Sequence, residues 1–317
     1  MVTTPTRPRG RYTQRSRLII SKEPWKQRIA VDLADNRKML ELHCHTTFSD
    51  GTLTPTELVE LAAKTGVQAL AITDHDTLGG WDEALAAAPI HDLEIVPGLE
   101  LSTVHCDRSL HILGFYPDRD KLAAPLAERL AGRKRRAEKM VAKLAEVGYP
   151  IQLPHLGEGM APGRPHIAAA LVQAGHASSV REAFDRWLGD DKPAYEHYEK
   201  FSAIDGIQLL RMCDAVPVWA HPYLFRGGEV EETLPGLVAA GLMGIEVYHP
   251  NHSLKQSRKL EKLCIQYGLL MSGGSDFHGP HPDSKNSNNT SLNSLRISLS
   301  LLQPIKQAAS NLRQQKS

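Results

Sequence analysis

The stretch Glu41-Leu-His-Cys-His-Thr-Thr-Phe-Ser-Asp-Gly51 places two histidines and an aspartate directly after a short apolar run that begins at Met39. Alternate residues of a β-strand point to the same face, so the imidazoles of His43 and His45 can reach one metal ion. Asp50 follows in a polar loop, where the chain can fold back towards the histidines. The stretch therefore predicts a buried strand that ends in a metal site.

Further metal-ligand residues follow the same rule, because most of them stand where a short apolar run stops. Gly273 and Gly274 precede the last of them and allow the backbone to turn sharply or to approach closely. His111 is the exception, since its apolar neighbours come after it. The candidate ligands outside the first stretch are His75, Glu100, His111, His221, Asp276 and His278.

The candidate ligands are imidazoles and carboxylates, with no cysteine obviously among them. Such a set favours manganese, iron or zinc over metals that prefer soft ligands. A structural zinc site is closed by four ligands, often thiolates, whereas a larger set is typical of a multinuclear catalytic site with open positions. Asp74 and Asp76 are ambiguous, because either could instead cap a helix that begins near Leu78.

Between the ligand groups the sequence predicts helices. Thr54-Pro55-Thr56-Glu57 is a capping box with proline at the first helical position, and Gly66 ends that helix. Ser253-Leu-Lys-Gln256 opens another helix, which runs towards Gly268. Strands that alternate with helices indicate α/β architecture with a parallel sheet, and barrel enzymes keep their chemistry at the carboxyl ends of the strands.

The ligand-bearing segments resemble those of the PHP family of metal-dependent phosphoesterases, which is named for polymerase and histidinol phosphatase. The resemblance covers residues 39–279, and its motifs are specific when they occur together. Residues 163–167 and 244–250 look most like the branch that hydrolyses 3',5'-nucleoside bisphosphates, some of whose members trim short RNA from the 5' end. The matching ligand segments are 41–51, 72–77, 97–102, 111–114, 220–222 and 274–279.

The resemblance implies a distorted (β/α)7 TIM-like PHP barrel with a helical insertion and a trinuclear metal centre at the carboxyl ends of its strands. It also implies that a metal-activated hydroxide removes the 3'-phosphate, with three divalent ions of manganese, iron or zinc as cofactors. The implied ligand sets are His43, His45, Glu100 and Asp276 for one ion, Glu100, His111 and His221 for a second, and Asp50, His75 and His278 for the third.

The chain divides into segments of different character. We expect a basic, flexible N-terminal tail at 1–38, barrel elements at 39–116 and 201–279, a helical insertion over the active site at 117–200, and a polar, atypical segment at 280–317. The exposed side of the insertion is expected to be basic, either as a solvated face or as a wall that attracts phosphate or RNA. Its basic residues are Arg133, Lys134, Arg135, Arg136, Lys139 and Lys143.

Arg164, His166 and His252 are the candidate substrate-binding residues. The turn around Arg164 can hold a guanidinium rigidly, and arginine grips phosphate through two parallel hydrogen bonds. His221 and His249 are the candidate catalytic residues, since a histidine near the metals could help to protonate the leaving alkoxide.

Other functions stay open at this point. Histidinol phosphate would need a pocket for an imidazole and an amine, whereas Arg164 and the basic insertion favour a substrate with a second phosphate. A close relative of the bisphosphatase activity is 5'-to-3' trimming of short RNA. The alternative from another class is a non-catalytic metal-binding regulatory module, although the complete ligand set counts against it.

Composition and charge limit the class of protein further. The chain has 317 residues and a net charge of +1, so any nucleic-acid contact must be local. The four cysteines have no metal or disulfide spacing, which favours a reduced compartment. No apolar run has the length of a transmembrane helix or a signal peptide. We therefore expect a cytoplasmic enzyme that acts on a small nucleotide or short RNA, without a membrane or an obligate protein partner.

Overall fold

A computed structural model of the chain describes residues 39–153, 156, 160–197, 201–280 and 291–315. The predicted N-terminal tail at 1–38 lies outside the described residues, as does the polar stretch at 281–290. The strands are β1 Met39–Glu41, β2 Val67–Ile72, β3 Glu94–His105, β4 Arg108–Phe115, β5 Val216–Trp219, β6 Gly244–Tyr248, β7 Leu270–Gly273 and β8 Ile297–Ser298. The helices are α1 Pro55–Lys64, α2 Trp81–Ala87, α3 Arg119–Glu146, α4 Arg164–Gln173, α5 Val180–Ala183, α6 Ala203–Met212, α7 Val230–Ala239, α8 Leu254–Tyr267 and α9 Leu302–Gln314.

The strands belong to one 8-stranded sheet in the order β7-β6-β5-β4-β3-β2-β1-β8. β1, β2 and β3 pair in parallel, and so do β5, β6 and β7. β4 runs antiparallel between β3 and β5, and the short β8 runs antiparallel beside β1. The result is a nearly closed, distorted TIM-like α/β barrel, so the predicted fold class is confirmed.

β7, at one end of the sheet, lies next to β1, the second strand from the other end, at the carboxyl side of the barrel. The His45 N–H donates to the Phe277 carbonyl at 2.9 Å, which joins the chain after β1 to the chain after β7. Gly274 permits this approach, because a Cβ atom there would lie 2.4 Å from the backbone nitrogen of His43. The segments that follow the first and the seventh strand are therefore held side by side.

The described part of the C-terminal segment covers the opposite, amino end of the barrel. Ile305 and Leu312 of α9 pack into one buried cluster with Leu40, Val96 and Val216 from three strands. β8 lengthens the sheet at the same end by pairing with β1. α9 thus covers the core of the barrel although the composition of the C-terminal segment is atypical. The predicted limits of that segment, 280–317, stay a prediction.

Three of the helices between β4 and β5, namely α3, α4 and α5, share a smaller hydrophobic cluster with a π-helical turn at Phe184–Leu188. Met140 and Leu144 of α3 pack there with Ile167 and Leu171 of α4. These elements therefore have a core of their own beside that of the barrel. The limits set for the insertion, and its role as a cover over the active site, stay predictions.

The basic face expected on the insertion is wrong at Arg133 and Arg136, whose side chains are buried. Arg133 Nη1 donates to the Asp76 carboxylate at 2.9 Å, and Arg136 Nε donates to the Glu196 carbonyl at 2.8 Å. Helical spacing could not reveal this burial, since α3 makes contacts both with the barrel and with its own insertion.

The two predicted capping sequences, at Thr54 and at Ser253, begin helices in the structure. The Thr54 side chain accepts from the Glu57 N–H at the start of α1, and Ser253 accepts from the Gln256 N–H at the start of α8. α8 ends at Gly268, which has a φ of 67° and so needs a residue that tolerates the left-handed region. Within the described ranges, no helix is both long and apolar enough to cross a bilayer.

Candidate metal centre

The predicted metal ligands lie together at the carboxyl end of the barrel, where parallel strands bring residues from distant parts of the chain to one side. Glu100 is inside β3 and forms a backbone bridge with His75, which follows β2. β4 explains the exception at His111: because this strand is antiparallel, it starts where its neighbours stop, so its ligand precedes the apolar run. The residues gathered there are His43, His45, Asp50, His75, Glu100, His111, His221, Asp276 and His278.

The carboxylate of Glu100 is the centre of this cluster. Its Oε1 lies 2.7 Å from His111 Nδ1 and 2.9 Å from His221 Nε2. Its Oε2 faces three further imidazoles at 3.2–3.3 Å, those of His75, His43 and His45. A carboxylate in this position can bridge neighbouring metal ions through its two oxygens.

Two more carboxylates flank the cluster. Asp276 Oδ1 lies 3.1 Å from His45 Nε2 and 3.4 Å from His43 Nε2. Asp50 Oδ1 lies 3.3 Å from His278 Nε2 and 3.6 Å from His45 Nδ1. The two aspartates therefore stand on different sides of His45.

Three groups of these residues have ligand atoms that all lie within 4.8 Å of one another. The first group is the set that the resemblance implies for one ion and contains His43, His45, Glu100 and Asp276. The second group contains His75, Glu100 and His111. The resemblance implies His221 in place of His75, and His221 contacts Glu100 but lies outside this group. The third group contains Asp50, His75 and His278, as the resemblance implies, and in addition His45.

Unsatisfied buried atoms show that the cluster fits divalent cations. Among the described residues, the ring atoms His43 Nε2, His45 Nε2 and His75 Nδ1 and the carboxylate oxygen Asp50 Oδ1 are buried without a hydrogen-bond partner. Buried polar atoms in native proteins almost always have a partner, and these four atoms belong to residues of the three ligand groups, so cations bound there would supply the missing partners. Imidazole and carboxylate ligands of this number suit manganese, iron and zinc.

The charges of the cluster support the same conclusion. Burial opposes ionisation of Glu100, Asp50 and Asp276, but the surrounding imidazoles hold the pKa of each carboxyl well below its usual range. Burial also opposes the charged form of His45, but the oxygens of Asp276 and Glu100 raise its pKa to about 10. For His75 burial dominates and lowers the pKa to about 3. The carboxylates thus favour positive charge at this end of the barrel, which bound cations would supply.

Asp74 fixes the loop that carries Asp50, which settles one ambiguity of the sequence. Its Oδ1 accepts from the Thr46 N–H at 2.7 Å and from the Ser49 hydroxyl at 2.6 Å, while Oδ2 accepts from the Thr46 hydroxyl at 2.7 Å. The N-cap residue of α2 is Gly80, not an aspartate. Asp74 is therefore a support for the ligand loop and does not cap a helix.

Glu246 was not singled out from the sequence. Its side chain is wholly buried, and Oε1 lies 3.0 Å from His43 Nδ1. The only local signal was a carboxylate inside the apolar strand β6, which does not reveal a partner from the other end of the chain. Asp76, the other ambiguous carboxylate of the sequence, also has a distant partner, because it pairs with Arg133 of the insertion.

The candidate catalytic and substrate-binding residues occupy different positions around the metal ligands. His249 is adjacent, with Nε2 at 3.5 Å from Asp276 Oδ2. His252 lies behind it at a ring-centroid distance of 5.2 Å, and its Nδ1 contacts the Val247 carbonyl at 3.0 Å. Burial lowers the pKa of His252 to about 4. His166 Nδ1 accepts from a backbone N–H of its own turn at 3.1 Å.

A cavity of about 580 Å³ opens beside the metal ligands. His111 and His221 form part of its wall, and Arg164 lies in the same wall, where its Nη1 donates to Asp190 at 3.0 Å. This volume is in the range of pockets that hold a nucleotide-sized ligand. The other charged and aromatic residues of the lining are Arg108, Phe184, Asp185, Lys192, Trp219, Tyr223, Phe225 and Arg226.

Known proteins share both the sequence and the fold of this chain. The profile of the PHP domain matches residues 41–188. The 5'-3' exoribonuclease of Haemophilus influenzae is 36% identical over 250 residues, which are 77% of this chain and 91% of that protein. The 3',5'-nucleoside bisphosphate phosphatase of Chromobacterium violaceum is 34% identical over 249 residues, 76% of this chain and 87% of that protein. A solved structure named for a metal-dependent phosphoesterase of Bifidobacterium adolescentis matches with a TM-score of 0.77 at 34% identity, over 86% of this chain and 96% of the other.

Proposed function

Since this chain belongs to the PHP domain family and is a metal-dependent phosphoesterase, we propose that it removes the 3'-phosphate from 3',5'-nucleoside bisphosphates. The observation that carries the proposal is the shared wall of the cavity, which contains two ligand histidines and the guanidinium of Arg164. One phosphate can lie at the metal ligands while a second is held by arginine, as a bisphosphate requires.

The metal centre is proposed to hold three divalent ions of manganese, iron or zinc. The ligands would be the residues gathered around Glu100, in the three sets that the resemblance implies, with the carboxylate of Glu100 shared between two of them. When bound, the ions would supply an activated water at neutral pH and neutralise the charge on the phosphoryl oxygens.

His249 is the better placed of the two proposed catalytic residues. Its Nδ1 accepts from the Asn251 N–H at 3.2 Å, so the neutral ring carries its proton on Nε2. That proton points towards the site, because Nε2 lies 3.5 Å from Asp276 Oδ2. The Nε2–H of His249 can therefore donate a hydrogen bond to the leaving oxygen, whereas His221 is engaged with Glu100 and would act as a ligand.

We propose that Arg164 binds the second phosphate of the substrate. Its guanidinium uses Nη1 for Asp190 and has further N–H groups that can bind an anion. Lys192 and Arg226 add positive charge to the same cavity, whereas Arg108 is paired with Asp191 at 3.0 Å. His166 and His252 complete the proposed set of substrate-binding residues.

Short RNA is the second candidate substrate. The basic residues of the cavity can bind a backbone phosphate as well as the phosphate of a nucleotide, and one relative is named as an exoribonuclease. Histidinol phosphate is less suitable, because it offers no second phosphate to Arg164. The cytoplasmic location and the absence of an obligate protein partner stay predictions.

Phosphate release with added Mn²⁺ tests the substrate. Adenosine 3',5'-bisphosphate should be hydrolysed much faster than AMP or histidinol phosphate. For the second candidate, the release of mononucleotides from a short 5'-phosphorylated RNA is measured instead, because cleavage of its phosphodiester bonds yields no inorganic phosphate. Equal activity on all four compounds, or none, would contradict the proposal. Asp276→Asn should abolish turnover in a folded protein, while Asp214→Asn, which removes a buried carboxylate that pairs with Lys121, should retain it.

A further inference from the structure

Glu246 contacts two ligand histidines from different strand ends, although the metal sets above do not include it. One contact is to the ring of His43, with Oε1 at 3.0 Å and Oε2 at 3.3 Å from Nδ1. The other is to the backbone of His221, whose N–H donates to Oε2 at 2.8 Å. A single carboxylate in β6 thus joins the segment after β1 to the segment after β5.

The contact with His43 sets which ring nitrogen is free. A carboxylate accepts hydrogen bonds, so Nδ1 must carry a proton when it faces Glu246. Nε2 then presents its lone pair to the site, where it lies 3.3 Å from Glu100 Oε2 and 3.4 Å from Asp276 Oδ1. Metal-bound histidines commonly have this arrangement, in which an outer carboxylate fixes the tautomer and the ring orientation.

The contact with His221 holds an unfavourable backbone. His221 has a φ of 32° and a ψ of 61°, in the left-handed region that residues with a Cβ rarely adopt. Such a conformation persists only where its surroundings determine it. The bond from the His221 N–H to Glu246 is one of these determinants, and the ring that it directs lies with Nε2 at 2.9 Å from Glu100 Oε1.

A carboxylate at this position is not explained by packing. The side chain of Glu246 is wholly buried in a strand whose neighbours Ile245 and Val247 are also buried, so an apolar residue would be the less costly choice. Both oxygens of Glu246 instead contact ligand histidines, so a carboxylate is retained in the core next to the metal ligands.

We propose that Glu246 is a positioning residue that couples two ligand sets of the metal centre, by fixing the tautomer of His43 and the backbone of His221 together. The inference rests on the proposed metal centre. Loss of the carboxylate should weaken both sets at once, while the set of Asp50, His75 and His278, which Glu246 does not contact, should retain its ion.

Glu246→Gln is a sharp test, because glutamine has the same shape but only one acceptor oxygen. If that oxygen accepts from the His221 N–H, the amide NH₂ faces His43 Nδ1 and forces the proton onto Nε2, the proposed ligand atom. If it accepts from His43, the amide NH₂ faces the N–H of His221. The two orientations interchange by rotation of the amide, so neither of the two ligand histidines keeps a fixed position.

Mn²⁺ titration and metal analysis after dialysis measure the effect without relying on activity. Glu246→Gln should bind the ions of the two coupled sets about 10- to 100-fold more weakly, as removal of such outer carboxylates does elsewhere. The third ion should be retained. Asp214→Asn is the matched control, because it removes a buried carboxylate at the opposite end of β5 and should leave all metal affinities unchanged.

Unchanged Mn²⁺ affinity in folded Glu246→Gln would overturn the proposal, and so would an equal loss in Asp214→Asn. If the glutamine variant does not fold, Glu246→Asp takes its place, since it keeps the charge but withdraws the carboxylate from both partners, and the same weakening is expected. A wild-type protein that binds the ions but does not hydrolyse bisphosphates would refute the proposed substrate and leave the role of Glu246 intact.

Discussion

Replacing Arg133 by methionine should lower the free energy of unfolding by about 3 kcal/mol, because Asp76 would stay buried without its cation. Arg133 Nη1 lies 2.9 Å from Asp76 Oδ2 and 3.0 Å from the Ser102 hydroxyl. The side chains are 7% and 0% exposed, so water cannot replace the lost partner. Methionine retains most of the volume of the arginine stem, which separates the loss of charge from the loss of packing.

The expected loss of unfolding free energy depends on the hydrogen bonds that Asp76 keeps in the variant. Removing one partner of a buried ion pair costs about 3–5 kcal/mol, whereas removing both charges is often close to neutral. The lower end applies here, since Asp76 Oδ1 still accepts from the Ser102 N–H at 2.9 Å. In the double variant Arg133→Met with Asp76→Asn no unpaired charge is left, so about 2 kcal/mol of the loss should return.

Urea unfolding at a fixed, saturating Mn²⁺ concentration measures these differences. Arg135→Met is the matched control on the same helix, because Arg135 is half exposed and its pair with Glu128 at 2.9 Å should contribute less than about 1 kcal/mol. A loss below about 1 kcal/mol in Arg133→Met would refute the reasoning. So would a double variant that is no more stable than the single one.

Other consequences of the structure can be tested in the same way. Chelation should lower the unfolding midpoint by several degrees, since an ion at 100 times its Kd contributes about 2.7 kcal/mol; an unchanged midpoint would contradict resident ions. Gly274→Ala should destabilise the fold by about 1–3 kcal/mol and reduce metal content, because the new Cβ would lie 2.5 Å from the Cβ of His43; a variant with normal stability in urea and a full complement of metal would show that the two segments can separate. Arg164→Met should raise KM for the bisphosphate about tenfold or more, the value of a hydrogen-bonded charge, without changing hydrolysis of p-nitrophenyl phosphate; an equal effect on both compounds would remove Arg164 from the second-phosphate site.

The barrel and the positions of its ligands could be predicted because their signals are local. An apolar run followed by a histidine or carboxylate is visible in a few residues, and parallel strands bring such ends together. His111 also follows this rule once β4 is known to be antiparallel, although nothing in the sequence indicates the direction of that strand. Capping boxes such as that at Thr54 are also local, and they mark the start of a helix in the structure.

The supporting contacts could not be predicted, since each depends on a partner far away in the chain. Glu246 and His43 are 203 residues apart, and neither neighbourhood indicates the other. Arg133 was expected on an exposed face because the helical pattern of α3 shows only its apolar side, whereas its real partner is a barrel aspartate. Burial of a charge is a property of the tertiary structure. The sequence therefore identifies the metal ligands better than the distant residues that keep those ligands in position.

The insertion is joined to the same strand ends that deliver the ligands. Arg133 binds Asp76 in the turn after β2, and Arg129 Nη2 donates to the Ser102 carbonyl of β3 at 2.8 Å. α4, which begins with Arg164, packs on α3 through their shared cluster. The distance between the proposed second-phosphate site and the metal ligands is therefore set by short, buried contacts. Changes within the core of the insertion should then alter substrate preference while the ligand geometry, which belongs to the barrel, stays as it is.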